Sequence, residues 1–204
     1  MKKILLLAVL ALALPTAMFA GSSIDYTNSG GTLSGSSAGL SLNGSVLIAV
    51  NGLNGGGLIT GSNLGSVSFT TGALLTGNLQ MGGTFGAGGS FTVTGNGTNG
   101  IPNGVLFSGT FSSPVSWTLV TLANGTHNYT LMGTLTGAMG SGIATQGVTV
   151  QLTINTGKGF FNGSTTISSG DTNISVTAPE PGSLSLMGTG LIGLAGMIRR
   201  KLKA

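Results

Sequence analysis

The chain has 204 residues, 39 of them glycine, no cysteine, and a formal net charge of +4. Between Gly21 and Thr177 only Asp25, Lys158 and Asp171 are charged, so the positive charge belongs to the two ends. A nucleic-acid-binding face, which must neutralise phosphates, cannot be built from that middle region, and neither can a disulfide framework.

The first 20 residues read as a secretory signal peptide. Lys2 and Lys3 precede an apolar run, Ile4 to Leu14, which Pro15 breaks before a stretch of small residues ending at Ala20. That charge, core and cleavage order is the secretory pattern, and the run is too short for a spanning helix. Cleavage is expected after Ala20, with Ser22 as the alternative, and the Sec translocon and signal peptidase are the partners implied.

Residues 21–177 form one domain rich in Gly, Ser, Thr and Asn. Such a composition often signals disorder, but disordered chains lack the β-branched and aromatic residues that recur here. Val148, Val150, Leu152 and Ile154 alternate with polar residues, as do Tyr129, Leu131 and Leu135, with Gly133 between them. Phe91 and Val93 make a further face, Val105, Phe107 and Phe111 another, and Val46, Ile48 and Val50 a third. Ser116 to Leu122 reads as a central strand with Trp117 in the core. The region from Gly30 to Gly65 is the least regular and is expected to hold long loops or edge strands. Eight Asn-Gly steps, at Asn43, Asn51, Asn54, Asn96, Asn99, Asn103, Asn124 and Asn162, supply residues that tolerate the positive φ of tight hairpins. Short alternating runs between such turns predict an all-β, antiparallel domain. A two-layer β-sandwich is the expected architecture, because alternating strands need a second layer over their apolar face; a single curled barrel is the alternative.

Catalytic chemistry has little to work with, and no enzyme is expected. The domain holds one histidine, His127, whose NGTHNYT setting reads as an exposed turn, and two aspartates, Asp25 and Asp171, far apart in sequence. A paired-carboxylate site or a Ser-His-Asp arrangement would need these to converge. One histidine and no cysteine fall short of a zinc site, and Gly170-Asp171-Thr172-Asn173 reads as an ordinary turn rather than a calcium loop, so no cofactor or metal is expected. Asn-x-Ser/Thr sequons at Asn43, Asn96, Asn124, Asn128, Asn162 and Asn173 are better explained by composition than by glycosylation. Trp117 and Tyr129 fall on apolar faces and are expected in the core rather than on a sugar-stacking platform.

Residues 178–204 have a different organisation. Pro179, Glu180 and Pro181 are followed by an apolar segment, 182–198, and then by Arg199, Arg200, Lys201 and Lys203. At 1.5 Å per residue the apolar segment spans roughly 26 Å, within the range of a single crossing, and the basic end would stay in the cytoplasm. This triplet, the span containing GTGLIGLAG and the Arg-Arg-Lys finish together resemble the PEP-CTERM sorting signal. The resemblance covers about an eighth of the chain. It implies that an exosortase recognises the tail and cleaves near Pro179–Pro181, and that the protein is an exported surface or matrix component of an exopolysaccharide-producing cell. Three activities of the β domain are compatible with it: a non-enzymatic surface protein, a carbohydrate-binding module, or a self-assembling fibre former. An outer-membrane barrel fits less well, since the strands are broken by glycine and aromatics are few.

Overall fold

Alternation and turn chemistry do produce strands, which the computed structural model of the chain describes over residues 22–145 and 147–176. In chain order they are β1 (Ser22–Ser29), β2 (Thr32–Ser36), β3 (Gly39–Asn51), β4 (Ile59–Thr70), β5 (Leu74–Asn78), β6 (Gly82–Phe85), β7 (Gly88–Asn96), β8 (Asn103–Phe111), β9 (Val115–Thr121), β10 (His127–Met139), β11 (Gly147–Asn155), β12 (Ser164–Thr166) and β13 (Ser169–Val176). Among the described residues no helix is long and apolar enough to cross a membrane.

The expected sandwich does not form. Neighbouring strands run β1-β3-β4-β7-β8-β10-β11-β13, and β13 returns to β1, which closes eight antiparallel strands into a barrel. Closure covers the apolar face without a second sheet, because an eight-stranded barrel is just wide enough for its own side chains to fill. Tyr26, Leu47, Phe69, Phe91, Phe107, Phe111 and Ile154 are among the buried core residues. Phe69 and Phe91 stack at 6.0 Å, and Phe111 meets both edge-on. The outward positions carry Thr149, Gln151, Thr153 and Asn155 on β11 and Asp171, Asn173 and Ser175 on β13. Apolar within and polar without is the reverse of a membrane-spanning barrel, whose lipid-facing band is apolar.

Two long strands fork. β3 gives one edge to β2 over Gly39–Asn43 and the same edge to β1 over Val46–Asn51. β10 pairs β9 over His127–Met132 and then β8 over Leu135–Met139. Each fork sends a small wing off the barrel: β2 with β12, and β9 with β6 and β5. Trp117 on β9 stacks on Tyr129 at 4.9 Å with Phe161 edge-on to the indole. The polar ends of these rings tie down the β5–β6 turn: Trp117 Nε1 donates to the Leu79 carbonyl (2.9 Å) and the Tyr129 hydroxyl to the Gln80 carbonyl (2.7 Å). Both rings are therefore core residues, as expected, and β9 lies in a wing rather than at the centre of a sheet.

Several local expectations fail for identifiable reasons. The Gly30–Gly65 region is not loop-rich but contains β2, all of β3 and the start of β4. Val105 does not share a face with Phe107: the register slips between Val93 and Thr94, Leu106 turns inward, and Val105 is left exposed. A similar slip against β1, where Thr27 pairs Ala49 and Asn28 pairs Leu47 with Ile48 left between, buries Leu47 together with Val50 rather than Val46 and Ile48. Each slip is a β-bulge, which inserts one residue and inverts the in–out parity beyond it. Gly170–Asn173 is not a turn but part of β13.

Candidate functional site

The sorting residues singled out above, Pro179, Glu180, Pro181, Arg199, Arg200, Lys201 and Lys203, the apolar segment 182–198 and the cleavage point after Ala20 all lie outside the described residues. What the structure offers is the outer face of the barrel.

Where β10 exchanges β9 for β8, the chain turns a corner at Ser112–Pro114. Thr134 holds that corner: its carbonyl accepts from the Ser112 amide (2.9 Å), and its hydroxyl lies 2.6 Å from the Ser113 hydroxyl. The parting strands leave a cleft of about 370 Å³, floored by Gly133 and flanked by Pro114 and the exposed Met132. Two cross-strand rows run from it. Ser116, Met132, Gln151 and Asp171 stand opposite one another on β9, β10, β11 and β13. Thr134, Thr149 and Asn173 form the second row, two residues further along each strand. Rows on adjacent strands are ~4.8 Å apart and successive outward residues ~6.7 Å, so the cleft presents a close grid of hydroxyl and amide groups beside one carboxylate.

The two aspartates, distant in sequence, come to neighbouring strands, β1 and β13. Asp25 has its carboxyl held above the ordinary value of 3.8, first by burial and second by the charge of Asp171. His127 does not join them. It heads the inward row of β10 that continues through Tyr129 and Leu131, whereas Asp171 faces outward two strands away and opposite the level of Met132, five residues along. Five residues of strand are ~17 Å, far beyond proton-transfer reach. The expected exposed turn histidine is in fact buried, stacked on Phe160 at 4.3 Å with Nδ1 3.0 Å from the Thr121 hydroxyl. No group of three or more His, Cys, Asp or Glu capable of holding a metal occurs among the described residues.

Sequence reasoning did not find the cleft, because its residues come from five segments that only strand register unites. The signal available was the Ser-Ser-Pro corner at residues 112–114, which separates the alternating run ending at Phe111 from the one starting at Val115.

The PEP-CTERM protein-sorting motif matches residues 177–201, the tail whose features were read above. The motif indicates an exported, exosortase-sorted protein. No curated protein and no solved structure matches the chain.

Proposed function

We propose that this is a non-enzymatic cell-surface or extracellular-matrix protein, associated with exopolysaccharide or biofilm, in which an exosortase-processed tail delivers a β-barrel. The observation that carries the reading is the sorting motif over residues 177–201, joined to a barrel with a neutral, hydroxyl-rich exterior. In this reading residues 1–20 direct export and are removed after Ala20. Residues 182–198 anchor the chain in the inner membrane, with Arg199, Arg200, Lys201 and Lys203 on the cytoplasmic side, until cleavage near Pro179–Pro181 releases the barrel to the surface. Immunoblotting of membrane, surface and medium fractions tests it, with and without an active exosortase. The expected result is a shortened, surface or released form that disappears when exosortase is lost or when Pro179, Glu180 and Pro181 are replaced by alanine. A tail retained in cells with active exosortase would falsify the reading.

A carbohydrate-binding activity is the second reading, favoured by the cleft at the β10 fork. Ser116, Thr134, Thr149, Gln151 and Asn173 offer neutral donors and acceptors suited to sugar hydroxyls. Saturable binding to a glycan array, weakened by Gln151→Ala, supports it; an array with no saturable signal removes it. Fibre formation is the weakest of the three. Barrel closure removes the long sheet edges through which chains would pair, and the terminal wing strands β5 and β12 have only five and three residues.

A further inference from the structure

The eight Asn-Gly steps are accounted for as turn formers, but they also carry a reactivity of their own. The amide nitrogen of the glycine, on losing its proton, attacks Cγ of the asparagine side chain. A C–N bond forms, the side-chain nitrogen leaves as ammonia, and water opens the resulting succinimide to aspartate or isoaspartate. Glycine permits the approach because no Cβ stands in the way. A fold restrains the reaction in two ways: by hydrogen-bonding the asparagine amide, or by engaging the glycine N–H.

We propose that Asn99 and Asn162 are modification sites, selected by the fold for spontaneous deamidation, while Asn96 and Asn124 are protected. Asn99 is exposed in a turn closed by the Ile101 amide donating to the Thr98 carbonyl at 2.8 Å. Asn99 and Gly100 both have positive φ, 52° and 82°, as a type I′ turn requires. Neither the Asn99 side chain nor the Gly100 N–H has a hydrogen-bond partner among the described residues. Asn162 is exposed ahead of Gly163, whose carbonyl accepts from Gly35 (2.8 Å) and whose N–H has no partner among the described residues.

The protected pair differs. Asn96 donates to the Asn63 carbonyl at 2.8 Å, and its Oδ1 accepts from the Thr98 amide at 3.1 Å and the Thr98 hydroxyl at 2.6 Å. Asn124 Oδ1 accepts from the Thr126 amide at 3.0 Å, and the Gly125 N–H donates to the Leu122 carbonyl at 2.9 Å. Each conversion adds one negative charge. With Asp25, Lys158 and Asp171 as the only charges of the domain, two conversions take it from one net negative charge to three. The barrel thus records its own age as charge.

The test is peptide mapping by mass spectrometry, resolving aspartate from isoaspartate, during incubation of the purified full chain in mildly alkaline buffer and, in parallel, in concentrated urea. In the native protein Asn99 and Asn162 convert about fivefold faster than Asn96 and Asn124, the factor that one net hydrogen bond supplies. In urea the four rates converge. An Asn99→Ser chain loses one charge step on native electrophoresis. Native conversion of Asn96 or Asn124 as fast as Asn99 overturns the proposal, and so does the same ranking of sites in urea, which would place the selectivity in local sequence.

Discussion

At the scale of single residues, the barrel shows where polar groups are tolerated and where they cost stability. Tyr26 Oη and Thr172 Oγ1 are buried with no hydrogen-bond partner among the described residues. A buried hydroxyl without a partner forfeits its hydration, so removing it at constant shape is favourable. Thr172→Val and Tyr26→Phe are each expected to stabilise the barrel by about 1 kcal/mol, read from urea unfolding midpoints. Asp25 makes a pH-dependent counterpart. Burial and the Asp171 charge raise its folded-state value above 3.8, so the folded protein holds this proton more tightly than the unfolded chain. Stability contributed by the group therefore rises as pH falls through the raised value and levels off below 3.8. Asp25→Asn is expected to raise the unfolding midpoint at neutral pH and to flatten this rise; an unchanged acid profile would remove Asp25 as its source.

At the scale of elements, glycine in a strand turns out to be a seat for an aromatic ring. A Cβ on Gly133, in the inward row of β10, would come within 2.7 Å of the Phe111 ring. Gly133→Ala must displace Phe111 and should destabilise by about 1–3 kcal/mol, with partial recovery in Gly133→Ala/Phe111→Leu, a cycle read by chemical denaturation. Tyr129, four residues earlier in the same inward row, donates to the Gln80 carbonyl and accepts from the Phe161 amide at 3.0 Å. Tyr129→Phe leaves that carbonyl and that amide without their partner and should cost about 1–3 kcal/mol. These elements also show what was legible beforehand. β10 and β11 could be read directly because their period of two runs unbroken from Tyr129 to Leu135 and from Val148 to Ile154. The parity of β3 and β8 could not, since bulges at Leu47–Ala49 and beside Leu106 leave no compositional mark. β5 and β2 were hidden by glycine and serine, which carry little strand preference and are held by wing pairing. The cleft was hidden more deeply, because its rows exist only once four strands are in register.

At the scale of the whole molecule, the choice of barrel over sandwich rests on one contact that local patterns do not encode, the pairing of β13 with β1. If closure is what makes the eight strands one cooperative unit, residues 22–176 produced without the flanking segments should unfold in a single transition. Deleting 169–176 should lose cooperativity and expose apolar surface to a hydrophobic dye. Two resolved transitions in the intact barrel would instead make the wings a separate folding unit.

That seam also imposes an order in time. If export is led by the N-terminus, as proposed, β1 crosses first and β13 last, and the barrel would stay an open sheet with two unpaired edges until almost every residue before Pro179 has crossed. Non-local pairing of this kind is slow, and exposed edges in the interval invite association with other chains. If the tail anchors the chain as proposed, it would hold each molecule until its final strand is delivered and give the seam time to close while the molecule is still alone. The address at the end of the chain would then serve folding as well as destination.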